Sequence, residues 1–412
     1  MGKQSRRKRE RERDEGGQRA NSWFRRLGLP TRPDTGAYRR LAAADVDWWS
    51  RFSEAEDASV ALMADPDANP AEVQAAARDK YALLYRDLDT ALAEYAARAV
   101  AVAHAWLRWW FEHHPPATRL LDAGCGPGVL TCAYALALPD AEVVGIDAVP
   151  EAVGCARELA GRVGAENASF AVADFADLAG RDLAGDFDQL VAVTALGDGG
   201  VYPQDRVDDA EPFSSVAEVD GRARDFTAPS LTALAGRLAP GGPFLVFDRT
   251  PYAAQAAWLG SALIHAGVDL NLDWAGTEVI LEDGQATTFT RFTGRRAEIP
   301  TTSTSDLAAW LKSVGPPAYG EVWHDELRFE KLKAAGAQRV WAAEINYAPY
   351  SPAVERREVW THGADAYGWV STSLQLRQLT RARTADALVA EYTAYARDLA
   401  AKGLRVRPYG RG

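Results

Sequence analysis

From Arg119 onward a long helical periodicity gives way to short apolar runs that alternate with helical stretches, and this alternation limits the possible folds more than any other feature. Arg119-Leu120-Leu121-Asp122 reads as a short buried strand, followed by a Gly-rich turn and a helix over 129–138. Further strands are expected at 141–146, 169–173 and 187–193, with a helix over 150–163 between the first two of these. A helix over 231–238 leads through Ala239-Pro240-Gly241-Gly242 into a fifth strand at 244–248. Parallel strands need long crossovers, so strands and helices at this spacing predict βαβ units in a doubly wound, mostly parallel α/β sheet. A helix over 253–266 and two strands around Asp283-Gly284 would close the sheet with an antiparallel hairpin.

The flanks read differently. Residues 36–114 form a helical cap. Asn69-Pro70-Ala71-Glu72 is a good helix start, with Asn as the cap and Pro at the first position. From Tyr81 to Trp110 apolar residues recur every three or four positions, which predicts one continuous helical face. Pro115-Pro116 after His113-His114 would stop it. Residues 115–296 form the sheet domain, and residues 297–412 an α+β accessory domain with strands near 357–360 and 367–376 and an amphipathic helix over 384–402.

Composition narrows the class. The net charge is −11, yet residues 1–26 hold ten Lys/Arg against four Asp/Glu (+6), leaving 36 against 53 (−17) in the remainder. An acidic body argues against a globally basic nucleic-acid binder, and residues 1–35 read as a basic, solvated, disordered tail. Residues 1–28 lack the apolar stretch of a secretory signal, and no window holds some 18 uninterrupted apolar residues, so no membrane span is expected. Three cysteines, Cys125, Cys132 and Cys155, are too few and too close for a disulfide scaffold, and no His joins them at metal-ligand spacing. Reduced thiols and a cytoplasmic location are the expectation, with no metal.

The chemistry-bearing stretch is Leu121-Asp122-Ala123-Gly124-Cys125-Gly126-Pro127-Gly128. Glycines after a first strand let the backbone approach a ligand and aim a helix N-terminus at it. The dinucleotide fingerprint needs its third Gly three positions after the second, where this chain has Val129. The observed Gly-x-Gly-x-Gly, opened by an acidic residue, resembles the class I S-adenosylmethionine-dependent methyltransferases, over about residues 115–293.

The resemblance implies S-adenosyl-L-methionine as cofactor and a set of site residues. Asp122 would help hold its methionine end, with Gly124, Gly126 and Gly128 passing beneath. Asp147, ending the second strand, would accept from both ribose hydroxyls, with Ala148 beside it; a vicinal diol is well matched by one carboxylate. Asp174 would face the adenine amine, with Phe175 as its apolar neighbour and Thr194 from the end of the fourth strand completing the contacts. Each Asp alone could equally be a helix cap or a loop residue. Cys125 is most simply a small residue in the turn.

Methyl transfer from a sulfonium is an in-line displacement in which the protein places the acceptor, excludes water and, where needed, supplies a base. The end of the fourth strand reads Thr194-Ala195-Leu196-Gly197-Asp198, without the Asn/Asp-Pro-Pro-aromatic motif of relatives that methylate base amines or glutamine amides. Asp198 is the first candidate for acceptor contact or base. His265 is the second, although its place near a helix end also suits a surface or capping role. The acidic insert over 199–225, with Asp205, Asp208, Asp209, Glu211 and Asp220, could form an acceptor wall favouring a cationic amine or simply be a solvated loop. Trp48, Trp49, Trp106, Trp109 and Trp110 read as packing between the cap and the sheet, with an aromatic cover including Tyr81 and Tyr85 as the sharper alternative.

The reading is a methyltransferase acting on oxygen or nitrogen of a small molecule or peptide. An RNA or DNA methyltransferase recruited by the basic tail, and a catalytically silent cofactor-binding regulatory module, are the alternatives. Oligomeric state is not encoded in any of these features.

Overall fold

The structure is a computed structural model that describes residues 3–64, 69–175, 178, 186–196, 229–250, 253–282, 285–314, 328–329, 331–346, 354–372 and 377–408. Strands β1 (Arg119–Ala123), β2 (Glu142–Asp147), β3 (Ala168–Val172), β4 (Gln189–Val193) and β5 (Pro243–Arg249) pair in parallel, in the order β3-β2-β1-β4-β5. The order reverses at β1, which pairs with β2 on one side and β4 on the other. Register places Ala123 opposite both Ile146 and Ala192, so the carboxyl ends of the three central strands lie side by side. A crevice at that edge is where open α/β sheets bind ligands.

The far side closes with β6 (Val268–Leu270), β7 (Gly276–Glu282) and β8 (Gln285–Arg296). β8 runs antiparallel to β5, and both β6 and β7 pair with its other edge. Because Leu270 faces Gly294 and Gly276 faces Arg291, β6 and β7 are one edge strand interrupted at 271–275. The expected closing hairpin is present; its turn residues Asp283 and Gly284 lie outside the described residues.

Both sheet faces are covered, which is why the strands read as apolar runs. α6 (Val100–His113), α7 (Val129–Ala137) and α8 (Pro150–Val163) bury Trp106, Leu130 and Val153 with Leu120, Val143 and Val191. On the opposite face α9 (Pro229–Gly236), α10 (Ala253–His265) and α11 (Thr304–Val314) pack with Leu121, Val144, Leu190 and Val246. α11 contributes Leu307, Trp310 and Leu311 to that core, and Trp310 meets Phe292 at 5.4 Å. The sheet body therefore runs at least to residue 314, past the expected division at 297.

The amino-terminal region departs further from expectation. In place of a disordered tail there is a helix, α1 (Lys3–Arg26), whose later half docks on α6. Ala20, Trp23 and Phe24 are buried, the Arg19 guanidinium lies 4.3 Å from the centre of the Phe111 ring, and His104 Nε2 meets Asn21 Oδ1 at 3.0 Å. Ala20, Trp23, Phe24 and Leu27 follow the three-and-four spacing of a helix face, a signal outweighed in the sequence by the charge around it.

The expected single long helix is likewise broken. α2 (Thr35–Ala44) and α3 (Val46–Ala64) precede α4 (Pro70–Leu84), which starts as expected with Asn69 Oδ1 accepting from Ala71 N–H at 2.9 Å. α4 then stops, and Asp87 caps a new helix α5 (Leu88–Glu94) by accepting from Thr90 N–H at 2.7 Å. A π-helical turn, Tyr95–Ala99, joins α5 to α6. An Asp cap inside an apolar periodicity restarts the helix without changing the spacing, so the pattern alone does not show the break.

The carboxyl-terminal segment has its own antiparallel sheet of β9 (Gln338–Asn346), β10 (Val354–His362), β11 (Asp365–Thr372), β12 (Arg377–Ala382) and β13 (Arg405–Pro408), ordered β12-β11-β10-β9-β13. Helix α12 (Ala385–Ala401), capped by Thr384, covers Val359 and Val370 with Leu388 and Tyr392. Phe329 stacks on Trp369 at 4.1 Å.

Docking of α1 makes a stability prediction. Phe24→Ala is expected to cost about 3–5 kcal/mol in denaturant unfolding, as for other fully buried Phe side chains.

Candidate cofactor-binding site

The loop between β1 and α7 carries three glycines in the left-handed region, with φ of 76° at Gly124, 51° at Gly126 and 79° at Gly128. Space as well as conformation requires them. A Cβ on Gly124 would stand 2.3 Å from Ala195 Cβ, and one on Gly128 would stand 2.8 Å from Ala156 Cβ. Gly124 and Cys125 both donate to Ile146 O at 2.9 Å, which ties the loop to the end of β2. Gly128 caps α7, so the helix N-terminus opens onto the crevice.

Asp147 ends β2 and holds both sides of the crevice in place. Its Oδ2 accepts from Gly126 N–H and its Oδ1 from Val149 N–H, each at 2.9 Å. It thus organises the next turn, as the loop-residue reading expects, and stands beside the glycine loop, next to Ala148. Asp122 is deeper, only 2% exposed, and accepts from Thr131 Oγ1 at 2.6 Å. Burial raises its pKa to about 7; the Thr131 hydroxyl opposes this, and the neighbouring Asp147 charge adds to it. The same burial, together with the Asp147 and Asp122 charges, holds the Cys125 thiol well above its usual range, which keeps it protonated.

Asp174 follows β3 at the same edge, where Arg78 from α4 forms an ion pair with its carboxylate. Phe175 is buried, its ring 3.6 Å from the position of a Cβ on Gly124. Thr194 is exposed at the end of β4 with φ of 51°, a strained conformation for a β-branched residue. Three hydrogen bonds hold this turn. Thr194 N–H donates to Phe247 O at 2.9 Å, Thr194 Oγ1 donates to Val193 O at 2.8 Å, and Leu196 N–H donates to Asp248 Oδ2 at 3.0 Å. Asp248, buried at the end of β5, was not among the expected site residues; like the others, it is an acidic residue that closes a strand.

The cap brings Tyr85, which the aromatic-cover alternative included, and Tyr95, which it did not, toward this edge. Tyr85 Oη lies 3.6 Å from the position of a Cβ on Gly126, and Cys155 Sγ donates to Tyr85 O at 3.2 Å. Tyr95, in the π-helical turn, has its phenol pKa raised by burial and by the charge of Asp122. The π-turn is the local signal for such a site, but it cannot be read from residue spacing. Trp106, Trp109 and Trp110 follow the reading of packing between cap and sheet, whereas Trp48 and Trp49 pack within the cap. Trp106 donates to Tyr134 Oη at 2.5 Å and stacks on Phe247 at 5.9 Å, while Trp48 stacks on Phe52 at 5.8 Å.

His265 does not join this group. It is exposed at the last residue of α10, a 13-residue helix of about 20 Å that begins after β5 and returns toward the amino ends of the strands. That places it toward the edge of the sheet opposite the crevice. Asp198 and the acidic insert over 199–225 lie outside the described residues, as does His324. His362 is exposed on the second sheet, where its Nε2 meets Ala335 O at 3.1 Å. A cleft of about 740 Å³, lined by Trp109, His113, Pro243, Trp274 and Arg295, sits at the amino ends of the strands and is separate from the crevice. Among the described residues no cluster of His, Cys, Asp and Glu could hold a metal, and no helix is long and apolar enough to cross a membrane.

Comparison with known proteins agrees with this geometry. Residues 114–219 match the family Methyltransf_31, described as a methyltransferase domain. Within the sheet domain, this match identifies residues 114–219 as similar to a methyltransferase domain. A 60-residue stretch is 50% identical to a ribosomal protein L11 methyltransferase of Symbiobacterium thermophilum, covering 15% of this chain and 19% of that relative. Similar solved structures include TrmN from Thermus thermophilus, at 21% identity over 44% of each chain with a TM-score of 0.31. Another is magnesium protoporphyrin IX methyltransferase (ChlM) from Synechocystis PCC 6803 with bound SAH, at 18% identity, a TM-score of 0.32, and coverage of 60% of this chain and 95% of that one. The chain thus spans about a fifth of the curated relative it matches and under half of TrmN.

The buried carboxyl gives a pH prediction. Folded chains keep the Asp122 proton up to about pH 7, whereas unfolded chains release it near the ordinary aspartate value of 3.8. Between those values the native state binds more protons, so this group's stabilising contribution is full at low pH and is lost as pH rises toward 7. The span is on the order of 4 kcal/mol. Asp122→Asn should remove that slope, so that the stability of wild type relative to the variant falls between about pH 4 and pH 7 in denaturant unfolding.

Proposed function

We propose that the chain is a methyltransferase that transfers the methyl group of S-adenosylmethionine to oxygen or nitrogen of a small molecule or peptide. One arrangement carries this reading: Asp122, Asp147 and Asp174 close three adjacent parallel strands around a loop with three left-handed glycines. The residues suit the cofactor. The loop offers bare backbone that a Cβ would fill, Asp147 offers acceptors for a ribose diol, and Asp174 offers an acceptor for an exocyclic amine. Asp122 carries a buried carboxyl that a cationic methionine end would favour in its ionised form. Ala148, Phe175 and Thr194 complete the walls.

The bound cofactor supplies an electrophilic methyl group; the protein's part is to orient the acceptor in line with it and exclude water. The strained Thr194 turn, pinned by Asp248, fixes the wall at the end of β4, and we assign acceptor contact to the residues that follow it, with Asp198 as the candidate base. Absence of the Asn/Asp-Pro-Pro-aromatic motif there supports an acceptor other than a base amine or a glutamine amide.

Calorimetry with S-adenosylmethionine tests the reading. Asp147→Ala is expected to weaken binding by about 10- to 100-fold, since it removes charge-assisted hydrogen bonds to the cofactor and also releases Gly126 N–H. Binding near pH 6.5 should release up to about one proton, seen as a dependence of the heat on buffer ionisation, because the cationic ligand lowers the pKa of Asp122. Equal affinity of wild type and Asp147→Ala would refute the site. Incubation with a panel of small-molecule and peptide acceptors, followed by mass spectrometry for a methyl mass shift, then identifies the acceptor class.

A further inference from the structure

The helical cap meets the crevice at three points spaced along it. Tyr95 lies near Asp122 at the methionine end, Tyr85 Oη stands over Gly126 in the middle, and Arg78 pairs with Asp174 at the adenine end. These three points are not equally anchored. Tyr95, Ala96 and Val100 belong to the main core that continues through α6 into the sheet. α4 belongs to a smaller cluster built on Trp48, Phe52, Leu84 and Ala97, with Tyr81 and Tyr85 packed against it. It also packs on α8, and at the adenine end it carries the Arg78–Asp174 pair, whose side chains are 47% and 31% exposed.

We propose that Arg78 is a cofactor-retaining residue: it stays on the Asp174 carboxylate when the cofactor is bound, so that α4 closes the adenine end of the crevice and slows release. This rests on the cofactor reading above. The chemistry allows both partners at once. A carboxylate has two oxygens and about four lone-pair sites, so a guanidinium on Oδ2 leaves acceptor capacity for an amine approaching in the plane of the group. The poorly anchored end of the cap is then the end that opens, while Tyr95 keeps the methionine end covered. An ion pair this exposed contributes modestly, so the latch should tune the lifetime of the complex without deciding whether it forms.

The test is the dissociation rate of radiolabelled S-adenosylmethionine from the full-length chain, chased with excess S-adenosylhomocysteine. Arg78→Ala is expected to speed release by about two- to fivefold with little change in the association rate. Arg78→Lys should recover part of the lifetime, and the unfolding midpoint without cofactor should not move, which separates retention from a structural role. In an Asp174→Ala background, Arg78→Ala should have no further effect, since the two act as a pair. Tighter binding by Arg78→Ala would show that Arg78 competes with the ligand and would overturn the proposal, as would an unchanged release rate or an equal effect in the Asp174→Ala background. Failure of wild type to bind S-adenosylmethionine would instead bring down the cofactor reading itself, and this proposal with it.

Discussion

Two alanines press so closely on the β1–α7 loop that it can exist only without side chains at Gly124 and Gly128. Everything at the site follows from that approach. With no Cβ in the way, the loop lies against Ala195 at the end of β4 and against Ala156 on α8, and its amides reach the end of β2. Asp147 then accepts from Gly126 as well as from its own turn, so one carboxylate couples the loop to the strand beside it. Moving any of these parts would displace the others, which is how a crevice of bare backbone keeps its shape.

Charge is the second organising constraint. Asp122 and Asp147 are close enough for each charge to be felt by the other, in a pocket from which water is largely excluded. A buried carboxyl with no cation beside it shifts its pKa upward and keeps its proton. Such a site suits a positively charged ligand, because binding recovers part of the cost of holding the carboxyl there. The acidic body noted in the composition is therefore not uniform surface charge; some of it lies in the crevice.

Much of this could be read from the sequence, for identifiable reasons. Gly124, Gly126 and Gly128 were readable because positive φ and close approach leave almost no other residue possible. Asp122, Asp147 and Asp174 were readable because each follows a strand whose apolar run is unmistakable. Asp248 follows the same rule at the fifth strand but passed as an ordinary strand terminus, since only its bonds to the β4 turn set it apart. Residues 1–35 resemble a solvated tail because Trp23 and Phe24, the apolar face of α1, stand among many arginines. The break at Asp87 and the π-turn were invisible because neither disturbs a three-or-four periodicity. His265 was misplaced because sequence gives nearness to a helix end but not which edge of the sheet that end reaches.

α6 has a consequence for how this chain can be divided. Trp106 bonds to Tyr134 and stacks on Phe247, Trp110 packs on Tyr134 at 4.7 Å, and α1 lies on the helix's outer side. The boundary at residue 114, where family similarity begins, therefore cuts through continuous hydrophobic packing and not through a linker. A fragment beginning there would expose the sheet face that α6 covers, and the severed helices would lose the surface that orders them. α1, α6 and this face of the sheet share one hydrophobic core, so those helices could be exchanged in evolution only together with the residues of the sheet that receive them.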